Sequence, residues 1–85
     1  MKRVRIVVTQ EHIDNGYTSS VKYCPIALAL TDNYSDVIVL SDCISITHNK
    51  QELNSWYDLS SRAQVFINCF DEDKPVKPSV FYAYR

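Results

Sequence analysis

Apolar and polar positions alternate over residues 2–8, with Val4, Ile6 and Val8 on one face and Arg3, Arg5 and Val7 on the other. A period of two belongs to a half-buried strand, here one with a basic outer face. Thr9 offers an N-cap for a short helical turn over 10–14, and Asn15-Gly16 supplies a stop with easy access to positive φ. Residues 17–23 are polar and irregular. Pro25 suits the first position of a helix, where a missing N–H is harmless. The run Ile26-Ala27-Leu28-Ala29-Leu30 is apolar on every side, which predicts a short, deeply buried helix ended by Thr31-Asp32-Asn33.

The second half begins with two β-branched runs, Val37-Ile38-Val39-Leu40 and Cys43-Ile44-Ser45-Ile46-Thr47, separated by Ser41-Asp42, which suits a tight turn or a bulge. They read as two strands or one bent strand. His48-Asn49-Lys50 reads as the next turn, and residues 51–57 carry a weaker strand pattern suited to a sheet edge. Asp58 or Ser60 is placed to cap a helix whose apolar positions Leu59, Ala63, Phe66, Ile67 and Phe70 recur with helical spacing. The acidic cluster Asp71, Glu72 and Asp73 opposes the macrodipole at that helix's C-terminus, so the helix is expected to stop near Phe70. After Pro75 and Pro78, residues 79–85 alternate again and carry apolar or aromatic bodies on both faces, as a central strand does. This order predicts a small α+β domain spanning 1–85, with a mainly antiparallel sheet of four or five strands and two helices packed on one face.

A chain of 85 residues supports one modest core. Net stability is then expected near ~3–5 kcal/mol unless self-association adds to it, so a homodimer is one expectation. Nine basic residues against ten acidic ones leave a net charge of −1, which excludes a whole-molecule field steering the chain toward nucleic acid. The sequence contains no apolar run near the roughly 20 residues that span a bilayer, and residues 1–10 turn polar too soon for a signal peptide. The expected setting is cytoplasmic, without membrane. Three cysteines at wide spacing, Cys24, Cys43 and Cys69, suit reduced thiols among apolar neighbours better than a disulfide framework.

Candidate chemistry is sparse. A thiol nucleophile would pair a cysteine with His12 or His48, and nothing in the sequence brings them together. Zinc ligands usually come in close Cys or His pairs, which this chain lacks, and one glycine cannot build a phosphate-binding loop. The expectation is no catalytic residue, no metal and no cofactor. Six tyrosines and one tryptophan are many for this length, and such residues either complete a small core or form a binding face. Lys2, Arg3 and Arg5 beside Tyr82 and Tyr84 also fit a nucleic-acid reading, as phosphate contacts next to stacking platforms. The acidic cluster is a possible local contact or a solvated loop.

The segments Val4-x-Ile6-x-Val8-Thr9-Gln10-Glu11-His12-Ile13, Cys24-Pro25-Ile26-Ala27-Leu28-Ala29 and Phe66-Ile67-x-x-Phe70-Asp71 together resemble a short uncharacterised protein type met in bacteriophage and prophage genomes. Relatives of that type often show C-x-x-C-P before the buried helix; here Val21 holds the earlier position, which argues against a metal or redox role. By analogy the resemblance implies a non-enzymatic module that inhibits or modulates a host protein or ribonucleoprotein complex, for example a defence nuclease in the manner of an anti-CRISPR protein. The expected contacts are Arg3, Arg5, Trp56, Tyr57, Tyr82, Asp71, Glu72 and Asp73, with nucleic-acid binding through the basic N-terminal strand and tyrosines as the alternative.

Overall fold

The computed structural model describes residues 3–47 and 54–85, the side chains of Ser35 and Asn54 excepted. The expected turn at His48-Asn49-Lys50, the start of the strand expected over 51–57, and Lys2 lie outside those residues. In chain order the elements are β1 (Arg3–Val8), α1 (Gln10–Asn15), α2 (Pro25–Thr31), β2 (Ser35–Val39), β3 (Cys43–Thr47), β4 (Asn54–Leu59), α3 (Ser61–Asp71) and β5 (Ser79–Tyr84). The strands form one sheet in the order β1-β5-β4-β3-β2, antiparallel at every junction and curled into a half-barrel. The α+β expectation holds, with α1 as a third, short helix.

Strand parity assigns the faces. Val4, Ile6, Val8, Phe81, Ala83, Leu59, Tyr57, Ile44, Ile46 and Val39 point inward and are buried. Helix α2 packs against both edge strands, β1 and β2, and so spans the open side of the half-barrel. Its Ile26 and Ala27 are fully excluded from solvent; burying an isoleucine of that kind stabilises by about 1.5–3 kcal/mol. Helix α3 adds Ala63, Phe66 and Ile67 to the same core, with the Phe66 and Phe81 rings 5.1 Å apart. Its N-cap is Ser60, whose Oγ accepts the Ala63 N–H at 3.3 Å.

Two expectations are corrected. The strand expected at an edge is β4, which lies inside the sheet between β5 and β3. Gly16 does not use positive φ: its backbone is extended, at φ −77°. A side chain is excluded there by Pro25, whose Cδ would lie 2.7 Å from an added Cβ.

The C-terminus of α3 ends in a Schellman motif. The Lys74 N–H reaches the Cys69 carbonyl at 2.8 Å and the Asp73 N–H reaches Phe70 at 3.1 Å, with Asp73 left-handed at φ 59°.

Candidate binding surface

The outer face of the sheet carries the side chains of opposite parity. On β1 these are Arg3, Arg5 and Val7, opposite Tyr84, Tyr82 and Val80 of β5. Asp58 of β4 lies opposite Tyr84, and Trp56 stands two residues away on the same strand face. Tyr82, Tyr84 and Trp56 thus form a diagonal of aromatic rings with two arginines on its β1 side. Trp56 is 52% exposed and Tyr84 38%. The Arg3 guanidinium sits 4.9 Å from the centre of the Tyr82 ring, a cation–π arrangement. Across the ladder from Trp56 lies Ser45, flanked on its other side by Ile38. Ser45 is fully buried, and its Oγ finds no hydrogen-bond partner among the described residues.

Of the eight residues singled out from the sequence, Arg3, Arg5, Trp56 and Tyr82 share this face. Tyr57, adjacent to Trp56 on a strand, necessarily points the other way and is buried in the core. The acidic cluster lies elsewhere, at the end of α3, and has structural employment there. Asp71 accepts the Ser19 N–H at 2.8 Å, Glu72 pairs with Lys74 at 3.0 Å, and Asp73 terminates the helix.

A second aromatic surface was invisible in the sequence. Tyr17 and Tyr23 are 68% and 57% exposed, with ring centres 6.2 Å apart. Their loop is held by the Tyr17 N–H to Tyr23 carbonyl bond, the Ser19–Asp71 bond and the Val39 N–H to Val21 carbonyl bond. No periodicity marks such a loop.

His12 is the described histidine. The Thr9 N–H donates to its Nδ1 at 3.0 Å, which leaves the proton on Nε2, and Nε2 donates to Asp32 at 2.9 Å. With Thr9 Oγ1 accepting the His12 N–H, this is a capping box at the start of α1, tied to the C-cap of α2. Cys24 lies apart from it as the N-cap of α2, its Sγ accepting the Ala27 N–H at 3.4 Å. Burial pushes the Cys24 thiol above its ordinary value, against the lowering effect of the Ala27 N–H. Cys43 is also raised, by burial and then by the Asp42 and Asp58 carboxylates. His48 lies outside the described residues.

Among the described residues no cluster of three His, Cys, Asp or Glu side chains is placed to hold a metal ion, and no helix is long and apolar enough to cross a membrane. No protein-family model, curated protein or solved structure matches the chain.

Proposed function

We propose that the protein is a non-catalytic binding module that engages a partner protein through the outer face of its sheet. In this reading it acts in a host cytoplasm as a small phage accessory protein, inhibiting or modulating a larger protein or ribonucleoprotein, such as a defence nuclease, by occupying part of its surface. The supporting observation is the outward-facing diagonal of Tyr84 and Trp56, both exposed, with half-buried Tyr82, flanked by Arg3 and Arg5. Tyr, Trp and Arg are the residues that most often anchor protein interfaces, and here they stand on strands, where the backbone holds them still.

A second reading, single-stranded nucleic acid, is favoured by the Arg3 guanidinium resting on Tyr82, since bases stack on aromatic rings beside cations. The two separate by experiment. Affinity capture from host lysate should recover a defined protein with the native chain and lose it with Trp56→Ala plus Tyr82→Ala, while both chains melt within a few degrees of one another. Equal capture by native and substituted chains would remove the sheet face from the account. Steeply salt-dependent retention of an oligothymidine, abolished by Arg3→Glu plus Arg5→Glu, would establish the nucleic-acid reading instead.

A further inference from the structure

We propose that the partner attaches at the free backbone edge of β1, by adding an extended acidic strand to the sheet beside Arg3, Arg5 and Val7. This inference rests on the protein-binding reading and supplies its mode and the chemistry of the partner.

The direction of the backbone follows from two facts. The Ser60 N–H donates to the Tyr82 carbonyl, and the Leu59 N–H donates to Asp42 on the β3 side. In an antiparallel strand the N–H and C=O of one residue point the same way, so Tyr82 and its alternates Tyr84 and Val80 face β4. Phe81, Ala83 and Ser79 therefore face β1 and pair with Ile6, Val4 and Val8. The N–H and C=O groups of Arg3, Arg5 and Val7 are left pointing away from the sheet, and no described residue hydrogen-bonds to them.

The other edge of the same sheet is treated differently. Strand β2 carries an irregularity between Ser35 and Ile38 and a left-handed Asp36 at φ 47°, and its outward Val39 N–H is taken by the Val21 carbonyl. Bulges and covering segments are the usual means of closing an edge to pairing. Among the described residues strand β1 has neither: it pairs with β5 in unbroken register over six residues and contains no proline. One edge is closed and the other is a regular template.

Charge selects the occupant. Side chains of an added strand that lie opposite Arg3 and Arg5 share the outer face with two arginines, so carboxylates fit and cations do not. A second copy adding symmetrically, antiparallel about Arg5, would set Arg5 against Arg5, which disfavours a β1–β1 homodimer. A nucleic-acid backbone gains nothing from outward N–H and C=O groups alternating along an edge, whereas a peptide satisfies both.

The test uses the full chain, isotope-labelled, and two synthetic decapeptides, one alternating Glu with Val and one alternating Lys with Val. The acidic peptide is expected to bind and the basic one not, with the Arg3, Arg5 and Val7 amides exchanging at least about tenfold more slowly in its presence. Val7→Pro removes an outward N–H and keeps both arginines and the aromatic face; it is expected to weaken the acidic peptide by about tenfold or more. Should that variant fold poorly, Arg3→Glu plus Arg5→Glu serves, and is expected to reverse the preference toward the Lys peptide. Failure of the acidic peptide to bind, binding without slowed β1 amides, slowing of those amides by raised protein concentration alone, or displacement of the peptide by oligothymidine would each overturn the edge inference. If the edge fails while capture of the host partner still depends on Trp56 and Tyr82, the sheet-face reading survives alone; if capture ignores those rings, that reading falls whatever the peptides do.

Discussion

Gly16→Ala is expected to destabilise the fold although Gly16 has an ordinary backbone. At φ −77° an alanine is conformationally welcome, and by restricting the unfolded chain it contributes about 0.4–1 kcal/mol of stability. Opposing this, the new Cβ would lie 2.7 and 2.8 Å from Cδ and Cγ of Pro25 and 3.0 Å from the His12 carbonyl oxygen. The Pro25 ring is fully buried at the start of α2 and cannot swing aside. Forcing a methyl into such a site costs about 1–3 kcal/mol. Taken at the middle of each range, the difference is a net loss of about 1.3 kcal/mol, or a melting midpoint lower by roughly 5–10 °C for a domain of this size. Urea and thermal unfolding followed by circular dichroism measure it, and a double-mutant cycle isolates the cause. In a Pro25→Ala background both Pro25 atoms are absent and only the longer His12 oxygen contact remains, so most of the penalty of Gly16→Ala should vanish. An unchanged or raised midpoint in the native background, or the same penalty in both, would refute the steric argument.

Asp73→Gly should raise stability by about 0.5–1 kcal/mol, because glycine occupies the left-handed C′ position of α3 without strain; a thermal midpoint below that of the native chain would count against it. Ser45→Ala removes a buried hydroxyl that has no partner among the described residues and should be neutral or stabilising by up to about 1 kcal/mol, whereas a loss beyond that would reveal a bond to Oγ. The raised Cys24 thiol ionises more easily unfolded than folded, so its contribution to stability is present below the ordinary value of 9.0 and lost as pH rises past it. Cys24→Ser should flatten the alkaline limb of a stability-against-pH curve; an identical limb in both chains would contradict the burial cause.

Elements whose signal is local were legible in the chain. Alternation marks the faces of β1 and β5, the apolar run after Pro25 marks α2, and the helical spacing from Ala63 to Phe70 marks α3, which ends at Asp71, whereas Leu59, expected on that helix, is the last residue of β4. What failed was long-range. Whether β4 lies at an edge depends on which strands flank it, and polar Ser55 and Asp58 on a half-exposed strand look the same in either position. Asn15-Gly16 suggests a positive φ, yet the reason for glycine at 16 is the approach of Pro25, nine positions along the chain. In the candidate surface, parity alone could have separated Trp56 from Tyr57, since neighbours on a strand face opposite ways. Clustered charge after Phe70 suggests a contact, whereas the positions of Asp71, Glu72 and Asp73 serve a loop anchor, an ion pair and a helix stop. Nothing in the chain marks Tyr17 and Tyr23, because a loop built by hydrogen bonds from distant residues leaves no period to read.

Oxidative footprinting of the free chain and of its complex with the captured partner tests the central claim most directly, because four exposed rings report on two distinct surfaces at once. Trp56 and Tyr84 on the outer sheet face should lose most of their reactivity on binding while Tyr17 and Tyr23 keep theirs. Protection of Tyr17 and Tyr23 with Trp56 and Tyr84 unchanged would contradict it.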